Sequence, residues 1–159
     1  MNEAPERTDD EDLKLAGFYV GGGLYGIDIM RIKEVIQAAP YRIREVPQAP
    51  SIVEGVIQLR GVVIPVIDLR RRFGVAIDPA TERLNKLIIV SVSGRIAGLK
   101  VDRVIGELRV SARSLRPAPS MLREGSDLAD DIFSGVSRVD DEMVFVVNLD
   151  GLLGVSRGR

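Results

Sequence analysis

Residues 55–74 read GVIQLRGVVIPVIDLRRRFG, and residues 135–154 read GVSRVDDEMVFVVNLDGLLG. At an offset of 80 the two align without a gap: Gly55 falls on Gly135, Val56 on Val136, Val66 on Val146, Asp68 on Asn148, Leu69 on Leu149 and Gly74 on Gly154. A second match lies upstream at an offset of 72. There Val20, Gly22, Gly26, Ile27, Ile29, Arg31 and Ile32 fall on Val92, Gly94, Gly98, Leu99, Val101, Arg103 and Val104. The chain therefore reads as two copies of one β unit, about residues 15–74 and 87–154. Two copies are too few for a solenoid, which needs about three repeats to bury its core. The natural outcome is a pair of small barrels or sheets packed together, with function where the copies differ or in the cleft between them.

Composition removes several classes of function. The 159 residues, 45% of them apolar, suit one domain or two small lobes. A chain of this size buries about 70% of its unfolded surface and needs no staple. Cysteine is absent, which excludes disulfides, thiolate metal sites and thiol nucleophiles. Histidine is also absent, and with it the commonest general base and zinc ligand. A net charge of −1 is not the basic footprint of a nucleic-acid binder. The longest apolar run, Val62 to Ile67, is interrupted by Pro65 and is too short to span a bilayer. The acidic N-terminus lacks the apolar stretch of a signal peptide, so the reading is a soluble cytoplasmic protein.

Residues 1–12 hold six acidic side chains and are expected to be a disordered tail. Gly17–Val20 and Leu24–Ile29 read as strands of a hairpin joined by Gly21-Gly22-Gly23. Met30–Ile36 is open between a helical turn and a strand. Pro40, Pro47 and Pro50 punctuate a loop, and Ser51 is a candidate N-cap of a short turn ending at Gly55. Val56–Leu59 and Val62–Leu69 read as strands with Arg60-Gly61 at the bend. The second is apolar enough to be covered on both faces, and Pro65 marks an edge or a bulge. Leu69–Phe73 is expected to form one helical turn closed by Gly74, and Asp78–Lys86 a polar linker. Leu87–Val92 and Ile96–Val101 flank a second hairpin at Ser93-Gly94-Arg95, and Val104–Val110 continues as strand. Residues 111–131 are expected to be a loop with a helical turn near Met121. Asp141-Glu142 is the expected last bend, with Met143–Leu149 as the return strand. The total is about ten short strands and little helix.

Chemistry-bearing motifs are sparse. A hydrolase triad needs a base beside its nucleophile, and here only Lys, Asp or Glu could serve. Asp130-Asp131 and Asp140-Asp141-Glu142 have the oxygen chemistry of a Ca²⁺ or Mg²⁺ site, but acidic pairs in turns are usually solvated. Gly21–Gly23 lacks the Lys-Ser/Thr ending of a phosphate loop and opens no helix. No cofactor or metal is expected. Arg60 is the sharper candidate: it stands at a bend where its copy has Asp140, so the fold alone does not demand Arg. It is either a solvated turn residue or an interface residue, a setting that favours Arg. Glu34 is similar, a charge in Ile32-Lys33-Glu34-Val35-Ile36 where the copy has Gly106. Arg70-Arg71-Arg72 reads as the solvated face of a helical turn.

FYVGGGLYGIDI, IKEVI, VPQAPSIVEGVIQLRGVVIPVIDLRRRFG and GVSRVDDEMVFVVNLDGLL, in that order, resemble the CheW family, the coupling proteins of bacterial chemosensory arrays. The likeness runs from about residue 15 to 154, so residues 13–154 are read as a single CheW-like domain with a C-terminal tail at 155–159. The resemblance implies an all-β fold: two pseudo-symmetric five-stranded SH3-like β-barrels packed around a shared apolar core. It implies no catalysis and a signalling role. Such proteins bridge a chemoreceptor tip and the homologous regulatory domain of a chemotaxis-type histidine kinase, and homologous CheW-like domains can join them in rings. Receptor binding is attributed to the groove between the barrels. By match, Ile32, Glu34, Val35, Gly55, Arg60 and Gly61 fall on family positions tied to receptor contact or kinase coupling. The resemblance carries neither nucleic-acid binding nor membrane insertion, only recruitment to receptor arrays. Gln58 departs from the Asn that the family usually has before Leu-Arg-Gly. Two other readings remain: an adaptor of a non-flagellar chemosensory-like pathway, and a small-molecule-binding β-barrel. The low aromatic content, 4%, weighs against the second.

Overall fold

The computed structural model of the chain describes residues 12–117 and 132–154. The expected tail residues 1–11, the expected helical turn near Met121 and the tail 155–159 lie outside the described residues. Ten strands follow in order: β1 Asp12–Val20, β2 Gly23–Asp28, β3 Ile32–Gln37, β4 Val53–Leu59, β5 Val62–Asp68, β6 Lys86–Val92, β7 Arg95–Val101, β8 Arg103–Ser111, β9 Phe133–Val139 and β10 Glu142–Val147. Two helical turns, α1 Leu69–Arg72 and α2 Leu149–Leu152, follow β5 and β10.

The strands form two five-stranded sheets, β8-β1-β2-β10-β9 and β3-β6-β7-β5-β4. The repeat maps one order onto the other strand for strand, but neither sheet belongs to one copy. The first takes β1 and β2 from the leading copy and β8, β9 and β10 from the trailing one. The second takes β3, β4 and β5 from the leading copy and β6 and β7 from the trailing one. The exchange is made by two parallel ladders. Val66, Ile67 and Asp68 pair with Gly98, Leu99 and Lys100, and Val144, Phe145 and Val146 pair with Leu24, Tyr25 and Gly26. Under the two offsets, the pair Val146–Gly26 is the counterpart of Val66–Gly98, so the repeat is kept to the level of single residues.

Residues 30–105 with 18–23 make one compact unit. Residues 12–17 and 24–29, with the described residues from 106 onward, make the other. The first has a core of Ala38, Ile57, Leu59, Ile64, Val66, Leu87 and Ile89, with Ile36, Tyr41, Ile43 and Ile96 packed on it. The second has Leu15, Val110 and Val146 with Leu13, Leu108, Leu115 and Val139 around them, and a trio of rings, Tyr25, Phe133 and Phe145, with centroids between 5.4 and 6.2 Å apart.

In each sheet an outer strand is crossed by a preceding segment, by the same device. Arg44 bridges Val56 beside β4, and Arg116 bridges Val136 beside β9. The crossing needs a residue without a side chain beneath it. A Cβ at Gly55 would stand 2.3 Å from the Arg44 carbonyl oxygen, and one at Gly135 would stand 2.6 Å from that of Arg116. Real side chains do not pack so closely.

Several local expectations are revised. Ile29–Arg31 forms a 3-10 turn before β3, so both readings of that stretch hold in succession. Ser51 caps nothing: β4 begins at Val53 and runs through Gly55. β5 is covered only from Ile64 onward, since Val62 and Val63 are 50% and 62% exposed. β5 is an interior strand, yet its pairing with β7 begins at Val66. Pro65 thus sits where the strand still has one partner and its missing N–H costs nothing. The last bend is Asp140-Asp141 rather than Asp141-Glu142, and the return strand ends at Val147, leaving Leu149 in a second helical turn. The strand before the first hairpin starts at Asp12, one residue inside the expected tail. The 78–86 linker contains a 3-10 helix, Pro79–Leu84.

Because both crossings rest on a bare backbone, Gly55→Ala and Gly135→Ala should each lower stability in chemical denaturation by about 1–3 kcal/mol or more, the scale of overpacking a filled core. A nearby change without such a contact, Gln58→Ala, should lie within about 0.5 kcal/mol of the parent.

Candidate functional site

Two residues that the sequence sets apart are brought together. Glu34 lies on β3 and Arg60 in the turn after β4, strands at opposite edges of one sheet. They meet in a two-pronged ion pair, Arg60 Nη2 to Glu34 Oε1 at 3.1 Å and Nη1 to Oε2 alongside. This contact shows that the sheet curls to bring its edges together. The hydrogen bonds from Arg60, against a smaller opposing effect of burial, hold the Glu34 carboxyl below its ordinary value, and Arg60 is raised in turn. The pair is open to water, with the side chains 68% and 32% exposed.

The turn itself is demanding. Arg60 and Gly61 have φ of 50° and 82°. Two successive left-handed residues make the tight turn that matches strand twist, which favours Asn, Asp or Gly. Gly61 meets that demand, and Asp140 and Asp141 do so in the copy at 50° and 67°. Arg60 does not, being a long side chain in a region such residues rarely adopt. Its guanidinium chemistry, not turn preference, is what the position carries.

The other residues assigned by resemblance separate. Gly55 is buried under the crossing segment and serves the packing described above. Val35 lies on the opposite face of β3 from Glu34 and is 42% exposed, whereas Ile32 is half-buried and separated from Glu34 by a register shift. Next to the Arg60 hairpin is a groove of about 860 Å³, walled by Tyr41, Ile43, Val56 and Val63. Gln58 lines this groove and is exposed, so its extra methylene relative to Asn points to the surface rather than the core.

The equivalent hairpin in the other unit has the opposite sign. Asp140-Asp141-Glu142-Met143 stands where the first has Arg60-Gly61-Val62-Val63, and Met143 is 54% exposed. Among the described residues no three His, Cys, Asp or Glu side chains are grouped to hold a metal ion, and no helix is long and apolar enough to cross a membrane.

Arg70 corrects the reading of the Arg-rich turn. It is 3% exposed and held by Asp68, which is fully buried. Its Nη2 donates to Asp68 Oδ2 at 2.9 Å and its Nε to Oδ1 at 3.0 Å. On its far side Arg70 grips Glu82 at 2.8 Å, and Lys100 joins Glu82 at 2.9 Å and Glu54 at 3.4 Å. Arg71 is half exposed. Sequence periodicity misses this network because the turn is too short to show a face. The trace it leaves is divergence between copies, since Asp68, Arg70 and Lys100 face Asn148, Asp150 and Asp28.

The CheW-like domain family matches residues 14–157. The chain belongs to that family. It is 32% identical to a chemotaxis protein CheW of Rhizobium meliloti over 152 residues, covering 96% of this chain and 94% of the relative. It is 30% identical to a chemotaxis protein CheW of Treponema pallidum over 151 residues, covering 93% and 86%. Its fold is similar to the crystal structure of the scaffolding protein TtCheW from Thermoanaerobacter tengcongensis, with a TM-score of 0.73 at 32% identity, covering 86% of this chain and 89% of that one. This CheW-like chain is thus a member of the chemotaxis scaffold family. Its two hairpin tips differ in charge while its backbone repeats.

The network fixes an acid dependence. Hydrogen bonds from Arg70, opposed by burial and aided by Lys100, pull Glu82 from its ordinary value near 4.5 down to about 2. A depressed carboxyl stabilises the fold above its unfolded value and loses that contribution as pH falls through the folded one. The melting temperature should therefore fall between about pH 4.5 and 2, and Glu82→Gln should melt lower at pH 7 with a shallower slope in that window. Arg70→Met, which leaves buried Asp68 only the 3.8 Å contact with half-exposed Arg71, should cost about 3–5 kcal/mol in denaturation.

Proposed function

We propose that this chain is a non-enzymatic adaptor coupling chemoreceptors of the methyl-accepting type to a chemotaxis-type histidine kinase, and so controlling motility. It binds the kinase through the kinase's regulatory domain and the receptors at their cytoplasmic tip. On this reading it works in the cytoplasm and is recruited to membrane-bound receptor arrays. The observation that carries the proposal is the opposite charge of its two equivalent hairpins. An adaptor needs two surfaces that do not compete for one partner, and electrostatic complementarity selects partners more than it adds affinity. One tip offers Arg60 beside exposed Val62 and Val63, and the other offers Asp140, Asp141 and Glu142 beside exposed Met143. An arginine flanked by apolar side chains is a common anchor of protein interfaces. The groove next to the first hairpin sets Tyr41, Ile43, Val56 and Val63 beside Arg42, Arg44 and Glu45, a mixed lining that suits an amphipathic helix carrying charges along its apolar stripe. Pairing of an acidic tip on one CheW-like domain with the Arg60 tip on the next, where it would compete with Glu34 for the guanidinium, is the contact that would close such domains into rings.

Ile32, Glu34, Val35, Arg60 and Gly61 are assigned to coupling, with Glu34 holding Arg60 in its unfavourable turn conformation and Gly55 supporting the hairpin from within. Arg60→Asn separates the roles, because Asn suits a left-handed turn and cannot form the ion pair. In calorimetric titration against the kinase regulatory domain and against a receptor-tip fragment, Arg60→Asn should lose at least about tenfold in affinity for one of them with an unchanged melting temperature, and Arg60→Glu should lose more. Unchanged affinity for both partners would remove Arg60 from the interface. A lowered melting temperature for Arg60→Asn would make it structural.

A further inference from the structure

We propose that a second cleft, next to the buried ion network, binds a small monocarboxylate with a flat apolar body. The cleft is open on one side and has a volume of about 560 Å³, within the range of small-molecule sites. One wall is the chain before β4, with Ala39, Tyr41 and Ile43, and the other is the 3-10 segment, with Pro79 and Ala80. Its polar lining is Glu82, Arg83 and Lys100, and Lys100 is 5% exposed. Apolar walls with a few fixed polar groups are the usual make-up of a ligand site.

The charges state what the ligand should be. Glu54, Asp68 and Glu82 are matched by Lys100, Arg70 and Arg71. Arg83 lines the cleft, is exposed and makes no ion pair among the described residues, so its guanidinium fork is available to a ligand. A monoanion suits it. A dianion would bring its second charge against Glu82, and a neutral molecule would leave the guanidinium as it is. A carboxylate is the anion that a guanidinium fork binds in two-pronged fashion. Behind the cleft lining, a backbone bond ties the end of the 3-10 segment to Ala38. Asn85 ends the 3-10 segment and its carbonyl accepts the N–H of Ala38, while its own Nδ2 is buried with no hydrogen-bond partner among the described residues. The walls are made of small side chains, Ala39 and Ala80, which leave room for a ring against Tyr41.

The test uses the full chain, ¹⁵N-labelled, titrated at constant ionic strength with benzoate and with its neutral isostere benzamide. The expected result is saturable shift of amide signals confined to residues 38–43 and 79–85, with benzoate binding on the order of 1 mM and benzamide at least about tenfold weaker. Arg83→Gln should bring benzoate to the level of benzamide at an unchanged melting temperature, and Ala80→Leu, which fills the cleft, should abolish the shifts. Absence of saturation, shifts spread elsewhere, equal binding of benzamide, or benzoate binding unaffected by Arg83→Gln would each overturn the proposal.

Discussion

Two short parallel ladders hold this fold together. Val66–Asp68 on Gly98–Lys100 and Val144–Val146 on Leu24–Gly26 are the contacts through which each half of the repeat completes the other's sheet. Parallel neighbours cannot be joined by a tight turn, so the partner strand must come from a distant part of the chain. Here it comes from the other copy. A single copy would have two strands of one sheet and three of the other, without a closed core for either. The hairpins, crossings and helical turns are local devices that depend on this exchange. The bare backbones at Gly55 and Gly135 and the paired left-handed turn residues recur in both halves because both sheets are built to one plan.

The duplicated frame leaves the side chains free to diverge. In one unit Asp68, Arg70, Glu82, Lys100 and Glu54 form a continuous ion network, buried at Asp68, Arg70 and Lys100, that clips the 79–84 segment to the sheet. In the other unit the equivalent positions carry Asn148, Asp150 and Asp28, and three aromatic rings cluster instead. Buried ion pairs gain little over apolar packing but make one arrangement strongly preferred, because breaking them strands a charge. The network holds one wall of the smaller cleft in place. At the tips the same divergence gives opposite charge on identical turns, and this is how one repeated scaffold can present two chemistries.

Much of the architecture was legible in the sequence. Glycine positions and alternating apolar residues repeat at fixed offsets, and from them came ten short strands and most of the hairpin bends. The pairing of Glu34 with Arg60 was not legible, since 26 residues separate them and only curling of the sheet closes the gap. What the sequence did show was that each breaks the repeat, Glu34 against Gly106 and Arg60 against Asp140. Arg70 was misread for a different reason. In a four-residue helical turn there is no periodicity to say which of three arginines points inward, and Asp68, two residues before it, was the better guide. The second helical turn was hidden because Asn148-Leu149 reads as the end of an apolar strand.

On the proposed reading, two unlike surfaces on one duplicated frame let the chain hold two partners at once. Sedimentation velocity of the chain mixed with both the kinase regulatory domain and a receptor-tip fragment tests it directly. A single faster boundary containing all three components, larger than either binary complex, is expected. Two binary complexes that compete, with each partner displacing the other, would contradict it.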